Sequence, residues 1–501
     1  MTAKALMIQG TGSGVGKSIL TAAFCRWFYK RGKRVAPFKS QNMSLNSFVT
    51  VDGGEMGRAQ AYQAEACGIE PHVRMNPILL KPSEDNRSQV VVMGKVVETC
   101  GARGYYGEQT RYLGEVLTAL NALKNEYELL ILEGAGSPAE INLREFDLVN
   151  MAMARAANAP VLLVGDIDRG GVFAWMKGTF DLLTLEEQKR VAGFIINKFR
   201  GDPGLLMPGI EMFEEMVERP VLGVVPFIHD FFADEEDALP ERRPDNKTYG
   251  PETLDIAIIR LPRISNFTDF APLMHDPSLN VRYVWHPSQL GQPDLLILPG
   301  TKNTLADFRF LEKQGLAREL VRLNERGVPI FGICGGFQML GLRMRDPHQM
   351  ESGLREVQGL GLLQVETTLA REKTTRPVRT RTLECPLWPA GLLLKGYEIH
   401  MGKTESRAAY QRLFEEMTPA NCPGYCNETG TLMGTYIHGL FDNDLLRQAF
   451  LDRLREKNGR PPAPHPFNYQ SFRQQHLDRL ADLVQQHIQH SRVLEILGEE
   501  A

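Results

Sequence analysis

The chain has 501 residues, 43% of them hydrophobic and 24% charged, so it is long enough for two well-packed cores and has the composition of a globular protein. A formal charge of -4 leaves no basic footprint for nucleic acid or an anionic membrane surface, and no apolar run approaches the ~18 residues of a membrane helix. Met1-Thr2-Ala3-Lys4 runs straight into an apolar segment with no room for a signal peptide, and the seven cysteines lack framework spacing. A cytoplasmic protein with free thiols is expected.

In the first half, the apolar runs Ala5–Ile8, Leu129–Leu132, Val161–Val164, Gly193–Ile196 and Val221–Val225 alternate with segments of helical periodicity. Fully apolar runs are typical of strands buried on both faces, so residues 1–232 are expected to form a mostly parallel sheet covered by helices. The first run leads into Gly10-Thr11-Gly12-Ser13-Gly14-Val15-Gly16-Lys17-Ser18, a glycine-rich loop opening a helix. It departs from the strict phosphate-loop pattern by placing five residues between Gly10 and Gly16, but its chemistry survives. The amides of Gly12, Ser13, Gly14, Val15, Gly16 and Lys17 can wrap the phosphates of ATP, Lys17 can neutralise them, and Ser18 can hold Mg²⁺.

The metal also needs an acid at the end of a neighbouring strand, and Glu133 ends the second run. Asp166, Asp168 and the pair Asn197-Lys198 end two further runs, and Asn197 is a candidate contact for the nucleotide. Residues 233–252 then lose apolar periodicity, with an acidic cluster, Arg242-Arg243 and three prolines, as expected of a linker.

A second α/β alternation over 253–460 includes Leu254–Ile259, Leu295–Leu298, Pro329–Ile333 and Leu432–Ile437. Within it, Cys334 stands between the run Phe331-Gly332-Ile333 and the pair Gly335-Gly336, the setting of a nucleophile on a sharp strand-to-helix turn. A reactive thiolate needs a base and an oxyanion hole. The amides of Gly335 and of Gly300, in the turn Pro299-Gly300-Thr301-Lys302, are the candidate donors. His438 is the candidate base and His400 its competitor. Cys422 and Cys426 are close in sequence, but no second Cys/His pair accompanies them, so no zinc site is expected. In the tail, 461–501, Leu477, Leu480, Val484 and Ile488 recur at helical spacing, as in an amphipathic helix packed back on a domain.

The Cys334 segment, the Pro299–Lys302 turn and His438 together resemble a class I, or triad, glutamine amidotransferase domain. The N-terminal half resembles the dethiobiotin synthetase family of ATP-dependent ligases. Fusion in this order resembles the cobyrinic and cobyric acid amidating enzymes. Phe38–Ser44, Gly57–Gln60, Glu133–Leu143, Asp166–Gly171 and Ile264–Phe270 are similar to the cobyric acid synthase branch.

The resemblance implies ATP- and glutamine-dependent amidation of the b, d, e and g carboxylates of a corrinoid, adenosylcobyrinic acid a,c-diamide, with Cys334 and His438 catalytic. Gln41, Asn42, Arg58 and Arg169 are candidate substrate contacts. The rival readings are a cobyrinic acid a,c-diamide synthase and a MinD- or ParA-like switch ATPase. One departure concerns His438: Leu440 stands where triad amidotransferases carry the glutamate that orients the histidine, and Glu398 is a candidate substitute.

Overall fold

The computed structural model describes residues 3–84, 87–101, 104–105, 109–228, 250–415 and 424–499. Most of the expected linker, and Cys422, lie outside them.

The five apolar runs of the first half become strands of one parallel sheet, and a sixth strand, Val35–Phe38, joins at its edge. Its strands are β1 (Lys4–Gly10), β2 (Val35–Phe38), β3 (Leu129–Glu133), β4 (Val161–Asp166), β5 (Val191–Phe199) and β6 (Val221–Pro226), in the order β6-β5-β4-β1-β3-β2. β3 and β4 are buried along their whole length, which is why they read as unbroken apolar runs rather than alternating ones. Helix α1 (Lys17–Lys30) follows the phosphate loop and covers one face of the sheet, and α2 (Arg58–Ala66) packs beside it.

A small sheet was not expected from the sequence. It pairs Gln41–Met43 with Ile78–Glu84, Arg87–Val92 and Lys95–Gly101, and its outer strand is largely exposed, Val96 and Val97 included.

The second sheet has a parallel centre made by β7 (Leu254–Ile259), β8 (Leu279–Val284), β9 (Leu295–Leu298), β10 (Ile330–Ile333) and Leu432–Thr435. Two short antiparallel strands extend it. A long twisted hairpin, β11 (Val365–Arg381) and β12 (Leu393–Ser406), forms a separate sheet with Ile437–His438 on the flank of β12. It carries few fully apolar runs and was also missed in the sequence.

The tail helix α3 (Tyr469–His487) is capped by the Asn468 side chain, which accepts from the Ser471 amide at 2.7 Å. Leu477, Leu480, Ala481 and Val484 are buried in one cluster with Phe24 and Phe28 of α1, and Ile488 joins them just beyond the helix. The chain end therefore returns to cover the first sheet. Trp27 Nε1 donates to Gln485 Oε1 at 2.9 Å, and the Gln489 amide donates to the Leu222 carbonyl at 2.7 Å.

Candidate active sites and their relatives

β1 stops at Gly10, and the chain turns through the glycine-rich loop into α1. Gly16 has φ 98°, and a Cβ there would lie 2.1 Å from Asn197 Nδ2, so both backbone conformation and space require glycine. Asn197 donates to the Val15 carbonyl at 2.9 Å and thereby braces the loop. Lys198 Nζ donates to the Gly14 carbonyl at 2.6 Å and pairs with Asp166 at 2.9 Å. Lys17 Nζ donates to the carbonyls of Gly12, at 2.7 Å, and Gly136, at 3.0 Å, arching over the loop.

Ser18 Oγ donates to Glu133 Oε1 at 2.8 Å, so the two expected metal-holding groups meet. The same carboxylate accepts from Lys39 Nζ at 2.9 Å and from Gln63 Nε2 at 2.5 Å, and neither residue was expected there. Burial works to raise the Glu133 pKa, but Lys39, Gln63 and Ser18 outweigh it and hold the carboxyl below its ordinary range. A hydroxyl and an ionised carboxylate in contact at the mouth of a phosphate loop are hard oxygen donors. They fit Mg²⁺, whose other ligands are ordinarily phosphates and water.

The four candidate substrate residues do not converge. Asn42 is buried and donates to Gln60 Oε1 at 3.0 Å, and Gln41 accepts from the Tyr105 hydroxyl. Arg58 lines a cleft of about 1090 Å³ between the two halves, along with Tyr62, Tyr397, Asp442 and Tyr469. Arg169 is exposed beside the phosphate loop, 3.8 Å from where a Gly14 Cβ would stand.

Cys334 follows β10 with φ 52° and ψ -109°, a conformation rare for a non-glycine residue, and the helix Gly335–Leu340 begins immediately after it. The tightness of the elbow has a steric origin. A Cβ on Gly336 would lie 1.9 Å from the Leu298 carbonyl oxygen, so only glycine lets the helix sit against β9. Gly300 closes the other side: a Cβ there would meet His438 Cε1 at 3.3 Å and the Cys334 Cβ at 3.6 Å. The structure thus brings Cys334, His438, Gly300 and Gly335 together.

Asp269 completes the arrangement. Its Oδ2 lies 2.6 Å from His438 Nδ1, and its Oδ1 accepts from the Gly439 amide at 2.9 Å. Glu398, the candidate for this role, instead accepts from Arg376 Nε at 2.6 Å, because antiparallel pairing of β12 with β11 sets those two residues opposite each other. Asp269 lies in the Ile264–Phe270 segment that carried the family resemblance, but it stands 169 positions before His438 and no spacing rule connects them.

Burial works to lower the His438 pKa, but Asp269 and Cys334 outweigh it and raise it to about 10. His438 also stacks on Tyr397 with ring centroids 5.2 Å apart. The competitor His400 lines the same cavity, but its Nδ1 is 2.9 Å from the Gly402 carbonyl and its ring stacks on Tyr436.

This site lies against the first half of the chain. Asn266 Oδ1 accepts from the Ser47 amide at 3.0 Å, the Phe267 amide donates to Asn46 Oδ1 at 3.1 Å, and Tyr397 Oη donates to the Ser47 carbonyl at 3.2 Å. Buried Glu55 accepts from Lys81 Nζ and from Lys373 Nζ of the opposite half, each at 2.6 Å.

A phosphate-loop domain joined to a cysteine-elbow domain defines a nucleotide-dependent glutamine amidotransferase. Residues 6–240 match the CobQ/CobB/MinD/ParA nucleotide binding domain, and residues 255–446 match the CobB/CobQ-like glutamine amidotransferase domain. Similar proteins include the cobyric acid synthase of Citrobacter koseri, 48% identical with 99% of both chains covered. That of Dehalococcoides mccartyi is 47% identical at the same coverage. That of a Geobacillus species is 49% identical over 97% of this chain and 96% of its own. The chain belongs to the cobyric acid synthase family and is an enzyme of the ligase class. Among the described residues no helix is long and apolar enough to cross a membrane, and no three His, Cys, Asp or Glu side chains cluster as a metal site.

Proposed function

We propose that this protein converts adenosylcobyrinic acid a,c-diamide to adenosylcobyric acid in cobalamin biosynthesis, amidating the b, d, e and g carboxylates with ammonia drawn from glutamine. The observation that carries the reading is the pairing, in one chain, of a Cys334–His438–Asp269 constellation with a phosphate loop whose Ser18 touches Glu133.

At the cysteine site the Cys334 thiolate attacks the side-chain amide carbon of glutamine. A C–S bond forms, and the oxyanion is met by the amides of Gly335 and Gly300. As the C–N bond breaks, His438, held in one tautomer by Asp269, gives its proton to the departing ammonia. Water then hydrolyses the thioester to glutamate.

At the nucleotide site a substrate carboxylate takes the γ-phosphoryl group of ATP, giving an acyl phosphate and ADP. Ammonia then displaces phosphate to form the amide. Lys17 and the loop amides stabilise the charge on the transferring group, Asn197 keeps the loop in shape, and Lys39 and Gln63 hold Glu133 ionised and in position. Mg²⁺ held by Ser18 and Glu133 would neutralise charge on the phosphates. Arg58 and Arg169 are proposed contacts for corrinoid carboxylates, whereas the engaged side chains of Gln41 and Asn42 act through the fold around them.

The test is mass spectrometry of adenosylcobyrinic acid a,c-diamide incubated with the protein, ATP, Mg²⁺ and amide-labelled glutamine, beside Cys334→Ala supplied with glutamine or with ammonium. Four labelled nitrogens for the wild type, with the variant rescued only by ammonium, are expected. No mass gain under any condition overturns the reading.

A further inference from the structure

The rim of the nucleotide site is unusually apolar. Strands β2, β3 and β4 lie to either side of β1, the strand that feeds the phosphate loop, and beyond its carboxyl end each leads to a large apolar side chain in solvent. These are Met43 after β2, 46% exposed, Ile141 after β3, 60% exposed, and Trp175 after β4, 59% exposed. A lone exposed apolar residue needs no explanation. Three around one crevice call for one, because the carboxyl ends of parallel strands are where α/β sheets take their ligands. All three segments start at the site: Lys39, next after β2, bonds Glu133 at the end of β3, Gly136 accepts from Lys17, and Arg169 stands beside Gly14.

Trp175 is the largest of the three. It sits on the first turn of the helix Val172–Asp181, where side chains lean toward the helix N-terminus, and a Cβ on Gly171 would lie 3.7 Å from its Cδ1 and Nε1. The indole therefore leans back toward the carboxyl edge of the sheet. Cβ atoms on Gly12, Gly136 and Gly170 would meet nothing within 4 Å, so the phosphate loop and the turns beside it face open space. Arg169 adds a loosely held charge: Asp166 has Lys198 at 2.9 Å, whereas Arg169 stands 3.9 Å away with its side chain exposed. ATP does not account for this rim, since its phosphates take the loop amides and Lys17 and only its base is apolar. A broad apolar rim with a guanidinium fits a wide, weakly polar molecule with carboxylates at its periphery.

We propose that Trp175, Ile141 and Met43 form an apolar rest for the corrin macrocycle, with Arg169 taking a carboxylate that is not reacting, and that this rest lets one site amidate several positions in turn. The inference rests on the corrinoid-amidating reading. A pocket of directional hydrogen bonds would hold one orientation and leave buried groups unpaired in the others. Apolar contact is non-directional, so the ring can turn on the same surface and present the b, d, e and g carboxylates to the phosphoryl group one after another.

The experiment measures kcat and KM for adenosylcobyrinic acid a,c-diamide in the full-length protein with ATP, Mg²⁺ and ammonium, and follows partly amidated corrinoids by mass. Trp175→Ala is expected to raise KM by roughly ten- to a hundredfold, the worth of uncovering a large apolar side chain, with kcat changed less. Intermediates short of full amidation are expected to build up in solution, because a weakened rest releases each of them between rounds. Trp175→Phe recovers most of the affinity, and Ile141→Asp, which sets a carboxylate on the rim, is expected to raise KM in the same way. Both side chains are exposed, so neither change opens a cavity in the core. A KM unchanged in Trp175→Ala and Ile141→Asp, or a fall in kcat alone, overturns this inference and leaves the amidation reading standing. Failure of the wild type to add any nitrogen overturns both.

Discussion

Asp269 and Lys39 are each a single buried charge on which a neighbouring group depends. Asp269→Asn keeps the shape but removes the charge that holds His438 protonated. Glutamine hydrolysis is expected to fall by roughly 10²–10⁴-fold, while amidation driven by ammonium persists. The pH profile supplies a second reading. The folded pKa of His438, about 10, lies above the ordinary imidazole value of about 6.5, so its pairing with Asp269 stabilises the fold fully below the latter and the contribution is lost as pH rises through about 10. Stability measured from pH 6 to 11 is expected to show that loss in the wild type and not in Asp269→Asn. Lys39→Met would strand Glu133 as an unpaired buried carboxylate, with side chains only 3% and 0% exposed in the native pair. A loss of roughly 3–5 kcal/mol in urea unfolding is expected, much of it recovered when Glu133→Gln is added.

At the scale of elements, short structures position both sites, and tight packing rather than length holds them. The six-residue helix after Cys334 rests on β9 because Gly336 has no Cβ, and the phosphate loop closes on Asn197 because Gly16 has none. The tail helix α3 is a larger case. Leu480 is fully buried against α1, the helix that begins with Lys17 and Ser18. Leu480→Ala is expected to cost ~2–5 kcal/mol, read as a lowered midpoint of urea unfolding, and to weaken ATP-dependent steps before glutamine hydrolysis, because the cavity opens behind the nucleotide site.

Across the whole molecule, the cysteine site is built at the junction of the two halves. Asn46 and Ser47 hold Asn266 and Phe267, Tyr397 reaches the Ser47 carbonyl, and Lys373 crosses to Glu55. Such contacts make the nucleotide-binding half part of the wall that positions Asp269 and His438. Asn46→Ala loosens the clamp on the turn that carries Asp269. It is expected to lower kcat/KM for glutamine by roughly tenfold, and to raise the glutamate released per amide formed above one. Parallel assays of glutamate and of corrinoid mass would check both.

The amino-acid sequence by itself determined the parts that depend on local pattern. Most strands of both parallel sheets were legible because burial on two faces leaves unbroken apolar runs, whereas Val35–Phe38, interrupted by Pro37, and the alternating edge strand Leu279–Val284 were not. The phosphate loop and the cysteine elbow were legible because each needs glycines next to one reactive residue. What the sequence left open were pairings between segments far apart in the chain: Asp269 rather than Glu398 on His438, and Lys39 and Gln63 on Glu133. The small N-terminal sheet and the long hairpin escaped notice for a related reason: the outer strand of the one and much of the other are exposed, and polar residues flank their short apolar stretches. Which carboxylate meets which histidine is set by how two sheets dock, and that docking is a property of complementary surfaces, visible only once the chain is folded.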